Sequence, residues 1–391
     1  MARFLFVSLP LRGHTDWGGM LGTAMALQQR GHAVAWASEP ALRELVVNAG
    51  LEFLALEHSG WQPQPPLPPG SLDPVLRRRR GLDSWLDVDA VSRAAAELAE
   101  QVARWQPDLL VAEPFAAAAA VAAEQRNLPL ALCGRPALPP RPEAPPVAPA
   151  AERIAELCRR HGVPGRLWDL STGAMCSPWL HLDFFSRAWY ADLPAVGEQT
   201  AFVGGRAPQA QPRHDPPWVL VTLGTQFNQD AAFFRTAAEA VFLAGGRPVV
   251  VTGAADPAAH RALTASLPAG ALSHPWLDFA AVLPQVAAVI HHGGVGTTHA
   301  ALCHGLPQVA VPHAGDQQPQ AGRITQAGVG YGVRPADFTL ANARWLADHV
   351  LHDEQLRRAA QRWRGELASL GGIAVAAQKL ERVAQGARPV V

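Results

Sequence analysis

Between Ala287 and Val311 an apolar run (AAVIH) meets a glycine cluster (HGGVG), then a helix-forming stretch, then a second apolar run (QVAV). Apolar strands closed by glycines and joined through a helix predict a parallel sheet with right-handed crossovers. The rhythm also opens the chain: a strand at Phe4–Leu9, a turn at Arg12–Gly13, a helix over Met20–Arg30 and a strand at Ala33–Ala37. A helix over 39–49, a short strand over 51–56, a helix over 88–105, a strand over 109–113, an alanine-rich helix and a strand over 130–133 continue it. After Arg206–Pro217, a polar proline-rich stretch, it restarts: a strand at Trp218–Leu223, a Gly224–Thr225 turn, a helix from Ala231 and a strand at Pro248–Val251.

The chain's 391 residues exceed one ordinary core. The reading is therefore α/β with two Rossmann-like doubly wound domains: 1–205, a linker over 206–217, and 218–370. A C-terminal helix over 371–391 is expected to pack back on the first domain. Residues 60–81 and 134–150 read as long loops, and the run Arg77–Arg80 within the first reads as a solvated loop or helix start, with an anionic or membrane-surface contact as the alternative.

Charge narrows the function. Lys+Arg 33 balances Asp+Glu 33, which argues against a nucleic-acid partner. Lys379 is the one lysine, so no Walker-type phosphate loop exists. The four cysteines have no C-x-x-C spacing, so a reducing cytoplasm is expected and a thiolate metal site is not. MARFLFVSLPLRGH lacks a leader's small-residue cleavage site, and no run of 18 apolar residues suggests a membrane span. Nothing fixes an oligomeric state.

The stretch from His291 to Gln317 carries the sharpest chemistry. Gly293, Gly294 and Gly296 after a strand and before a helix make an anion site, because backbone N–H groups and the positive dipole end point one way. Thr297 adds a hydroxyl donor. A dinucleotide fingerprint is the rival, but His299 stands where its third glycine belongs.

This region resembles the donor signature of the GT-B nucleotide-sugar glycosyltransferases, the plant and bacterial UDP-glycosyltransferase family. The resemblance is carried by Trp276, by His292-Gly293-Gly294-Val295-Gly296-Thr297 and by Asp316-Gln317. It implies two domains facing across a cleft, Trp276 stacked on the base, His292 and the turn on the diphosphate, and Asp316 and Gln317 on sugar hydroxyls. Gly224-Thr225 resembles the family's turn near the same diphosphate, which brings in Thr225. Leu277-Asp278-Phe279 follows the Trp where the family has a Gln that holds base or ribose, leaving base identity open; uridine is expected over thymidine.

At the first strand's end, Gly13 allows a sharp turn that puts His14 at the sheet's carboxyl edge, where an imidazole suits a general base. The family resembles this Gly-His too, and pairs the His with an Asp at the end of the fourth strand. Glu113 stands there, and a carboxylate would fix the imidazole tautomer. The turn after His14 departs from the family, with Asp16 and Trp17 facing the acceptor. Trp17, Trp61 and Trp85 are candidates to line an apolar pocket.

Together these imply an inverting, metal-independent transferase with no cofactor beyond its co-substrate. It would move a hexose, taken as glucose, from a UDP-sugar to a hydroxyl of a small apolar acceptor: a polyketide, flavonoid, terpenoid, sterol or carotenoid. The alternatives are a non-catalytic homologue and a nucleotide-sugar epimerase.

Overall fold

The computed structural model describes residues 1–15, 19–64, 74–134, 136–137, 148–170, 173–209, 214–224, 230–253, 256–313, 317–386 and 389. The chain forms two compact units, Met1–Val203 with Gly371–Val391, and Gly204–Leu370. Among the described residues, no helix is long and apolar enough to cross a membrane.

The first unit is built on a seven-stranded parallel sheet. Its order is Glu52–Ala55, Ala33–Ser38, Arg3–Val7, Leu109–Ala112, Leu130–Cys133, Leu180–Asp183 and Thr200–Phe202. Side chains alternate between faces, and both faces are buried. Leu5, Val7, Leu110 and Ala112 pack with Val91, Ala94 and Leu98 of the helix Val88–Trp105. Phe4, Phe6, Leu109 and Val111 pack with Met20 and Leu27 on the other side. Two-sided burial is why these strands read as continuous apolar runs. Truncating Phe6 to Ala would cost roughly 3–5 kcal/mol.

The helix Gly372–Ala384 adds Ala376, Ala377 and Leu380 to that second face. Glu381 on the same helix accepts from Arg30 Nε and Nη2 at 2.6 and 2.7 Å and pairs with His32 Nε2 at 2.8 Å.

The second unit holds a six-stranded parallel sheet, ordered Leu272–His274, Arg247–Val251, Trp218–Thr222, Val286–His291, Gln308–Ala310 and Gly330–Gly332. Val219, Val221 and Ile290 pack against Phe234, Ala237 and Val350, while Leu220, Val249 and Val289 pack against Ala301 and Leu306.

Two expectations about loops are corrected. Pro74–Trp85 is a helix, so the loop expected to reach residue 81 ends earlier and the four arginines lie on helical backbone, the second of the two readings given for them. Arginine is a good helix former, and a proline in the first turn loses no intrahelical bond. The stretch expected to end at residue 150 gives way earlier, to the helix Ala148–His161.

Both sheets reverse their winding beside the first strand of the unit. Arg3–Val7 lies between Ala33–Ser38 and Leu109–Ala112, and Trp218–Thr222 lies between Arg247–Val251 and Val286–His291. Open α/β sheets bind ligands beyond the carboxyl ends of strands at such switch points. In the first unit those ends lead to His14 and Glu113. In the second they lead to Gly224 and His292.

Candidate active site

His14 sits on the short helical turn Arg12–Thr15, with its amide bonded to the Leu11 carbonyl at 2.8 Å. Glu113 directly follows the strand Leu109–Ala112, and its amide donates to the Val7 carbonyl at 3.1 Å. The two residues are 99 apart in sequence, yet His14 Nδ1 and Glu113 Oε2 are 2.8 Å apart. The carboxylate is 0% exposed and the imidazole 24%. Glu113 Oε1 also accepts the Leu9 amide at 3.0 Å, so each oxygen of this buried carboxylate meets an N–H donor. A proton held on Nδ1 leaves the lone pair on Nε2, the arrangement a general base needs. Glu113 is not a helix N-terminal acid, since the next helix starts at Ala118.

Aromatic rings adjoin the imidazole. Phe115 lies 5.8 Å from the His14 ring centre, and Trp85 meets Phe115 edge-on at 5.5 Å. Phe115 was missed in the sequence because its proximity to His14 depends on the turn after Glu113. Trp61 is part-buried, on a loop tied to the same region through Gln62 N to the Ser84 carbonyl at 2.7 Å. Asp16 and Trp17 lie outside the described residues, as do Thr225 and Asp316 of the donor motif.

In the second unit, His292, Gly294, Gly296 and Thr297 share one turn and the first turn of the helix Val295–Cys303. Gly294 is the N-cap, and among the described residues no side chain caps the first N–H groups of the helix. The glycines divide by purpose. A Cβ on Gly294 would run into His292 Nε2, and one on Gly224 would stand 3.0 Å from His292 Cε1. Both make room for the imidazole. A Cβ on Gly296 would meet no described atom, so the helix start is open there.

Burial pulls the His292 pKa down to about 3, with the fields of His291 and His313 adding to it and a hydrogen bond to the Thr222 backbone opposing. At neutral pH this ring is a neutral dipole, not a cation. Thr297 is at the buried end of its range, and Trp276 is 49% exposed, so its indole is not a core residue. Gln317 opens the helix Gln317–Gln326. It is 2% exposed, and its Oε1 accepts the His313 amide at 2.7 Å, so its carbonyl holds the loop.

His313 and Asp230 form a pair that sequence reading missed. His313 Nε2 is 3.2 Å from Asp230 Oδ2, and Nδ1 is 2.8 Å from the Val311 carbonyl. The His313 bond is the main cause holding the Asp230 carboxyl below its ordinary range. Asp230 also accepts the Phe233 amide at 3.0 Å as a helix N-cap. Only that capping role is visible in a sequence.

Two parallel α/β sheets, one carrying a His–Glu pair and the other an uncapped glycine turn at its switch point, define a GT-B glycosyltransferase. The solved structure of CalG4, the calicheamicin glycosyltransferase, superposes with a TM-score of 0.76 at 25% identity, covering 100% of each chain. Residues 249–383 match the family described as erythromycin biosynthesis protein CIII-like, C-terminal domain. The demethyllactenocin mycarosyltransferase of Streptomyces fradiae is 27% identical, over 97% of this chain and 86% of its own. The TDP-daunosamine transferase DnrS of Streptomyces peucetius is 29% identical over 90% of each chain. Along nearly its whole length the chain is similar to bacterial natural-product glycosyltransferases.

Proposed function

We propose that this glycosyltransferase is an inverting enzyme that moves a deoxy sugar from thymidine diphosphate to a hydroxyl of a polyketide-type acceptor. The observation that carries the catalytic reading is the 2.8 Å pair of His14 and Glu113 at the carboxyl edge of the first sheet. The acceptor hydroxyl gives its proton to His14 Nε2 while its oxygen bonds to the anomeric carbon. The bond from that carbon to the phosphate oxygen breaks on the opposite face, which inverts the centre. Glu113 stabilises the imidazolium as it forms. The departing diphosphate is received by the N–H groups that start the helix Val295–Cys303 and by the His292 dipole.

The donor assignment moves away from UDP-glucose. One relative is named for a TDP-sugar, and another for transfer of mycarose, a deoxy sugar. Leu277-Asp278-Phe279 leaves the base open, so the choice rests on those relatives and on one feature of this chain. The Gln317 carbonyl is committed to the loop, and a sugar with fewer hydroxyls asks for fewer polar partners. Trp276 is the face proposed for the base, with Thr225 and Asp316 beside the phosphates and sugar.

The test follows release of free nucleoside diphosphate from TDP-deoxy sugars and from UDP-glucose with a panel of polyketide aglycones. Acceptor-dependent release of TDP, abolished in His14→Ala, is expected. Release from UDP-glucose alone would overturn the donor, and full activity of His14→Ala would overturn the mechanism.

A further inference from the structure

We infer that His291 is the positioning residue of the donor turn, holding the Gly293 amide through Nδ1 while Gln308 fixes its tautomer. This rests on the proposal that the turn receives a nucleoside diphosphate. His291 ends the strand Val286–His291, and Gln308 opens the neighbouring strand opposite Val289. Side chains two residues apart on a strand share a face, so Gln308 and His291 meet diagonally. Both are 0% exposed.

The Gly293 amide donates to His291 Nδ1 over 3.1 Å. An amide N–H can only donate, so Nδ1 carries the lone pair and the ring proton is on Nε2. Nε2 then donates to Gln308 Oε1 at 3.0 Å. Burial supports this single neutral form, lowering the His291 pKa to about 4.

A polar pair inside an apolar sheet has a cost that packing alone does not explain. Gln308 Nε2 is itself buried with no partner among the described residues. What the pair secures is Gly293. That residue has a φ of +83°, and an added Cβ would lie 3.2 Å from the Gln317 carbonyl oxygen, so no side chain can anchor the turn there. The bond to His291 anchors it instead. His292 and the N-cap Gly294 follow directly, and the direction of the helix N–H groups follows from them. His291 touches no substrate in this scheme and acts through the turn.

Calorimetric titration of thymidine diphosphate and of UDP into the wild type, His291→Leu and His291→Asn tests the assignment. The Asn Oδ1 lies one bond from Cγ, as Nδ1 does, so it can accept the Gly293 amide; Leu cannot. His291→Leu is expected to weaken nucleoside diphosphate binding about 10-fold, with acceptor KM unchanged. His291→Asn is expected to recover most of that affinity while melting no higher than His291→Leu. Equal affinity of the two variants overturns the inference. Should neither fold, Gln308→Glu, which still accepts from Nε2, is expected to bind more tightly than Gln308→Met; equal binding again overturns it. A wild type that binds neither nucleotide overturns the donor reading and this inference with it. Wild-type binding that His291→Leu leaves intact overturns this inference alone.

Discussion

His14 Nδ1 lies 2.8 Å from Glu113 Oε2, and the other Glu113 oxygen takes the Leu9 amide at 3.0 Å. The carboxylate thus joins the turn after the first strand to the turn after the fourth, and one group serves both backbone and imidazole.

Glu113→Gln separates these roles. The Gln carbonyl can still accept the Leu9 amide, so the melting temperature should stay within a few degrees of wild type. Its NH₂ group would face Nδ1 and donate, which drives the imidazole proton to Nε2 and removes the basic nitrogen from the acceptor. Steady-state assays should give a kcat lower by roughly 100-fold or more with donor KM little changed. An unchanged kcat would remove Glu113 from the mechanism.

Gly294→Ala and Gly296→Ala form a matched pair. The new methyl at 294 runs into His292 Nε2 and displaces the ring. Nucleoside diphosphate affinity should fall about 10-fold by calorimetry. The methyl at 296 meets no described atom, and alanine favours the helix over glycine by roughly 0.5–1 kcal/mol. Gly296→Ala should therefore melt higher than wild type. Weaker nucleotide binding in that more stable variant would place the phosphate against residue 296.

The two sheets were legible because their strands are buried on both faces and read as unbroken apolar runs, as at Phe4–Val7 and Val219–Val221. Leu180–Asp183 and Thr200–Phe202 were not legible, since LHLD and TAF are too short and polar to show a period. The helix Pro74–Trp85 was hidden by composition, because the proline-rich stretch just before it reads as loop and carries that reading into its run of arginines. At the sites, residue types on a motif could be named from the sequence, but partners could not. His291 with Gln308 and His313 with Asp230 are 17 and 83 residues apart, and only the sheet order brings them together. The purpose of Gly294 was hidden likewise: its missing side chain makes room for a neighbouring ring, which a spacing pattern does not encode.

Phe115 and Trp85 predict acceptor preference. Their rings sit edge-on at 5.5 Å, with Phe115 5.8 Å from the imidazole that receives the acceptor proton. Phe115→Ala should raise acceptor KM about 10-fold, in line with roughly 1–2 kcal/mol of lost apolar contact, and leave donor KM unchanged. Hydroxylated acceptors should lose less than apolar ones in the same assay. An equal loss across the panel would show that the ring packs the His14 turn rather than the acceptor.

Acid sensitivity follows from three histidines in the second unit. Burial lowers the pKa of His291 to about 4, of His292 to about 3, and of His304 to about 4, where the neighbouring Arg364 adds to the effect. In an unfolded chain each would titrate near 6.5. Because the folded values lie below the unfolded ones, unfolding takes up protons in the interval between them. Stability should be complete above about pH 6.5 and fall as the pH drops towards 4 and then 3. Below those values the folded protein also binds the protons, and these groups add no further slope. Calorimetric unfolding between pH 7 and pH 4 should show a falling melting temperature, with net proton uptake visible in buffers of different ionisation enthalpy. His291→Asn removes one titrating group and should flatten the slope. A melting temperature that is level across this interval would mean that these rings are protonated in the folded protein, which for His291 the bond from Gly293 does not permit.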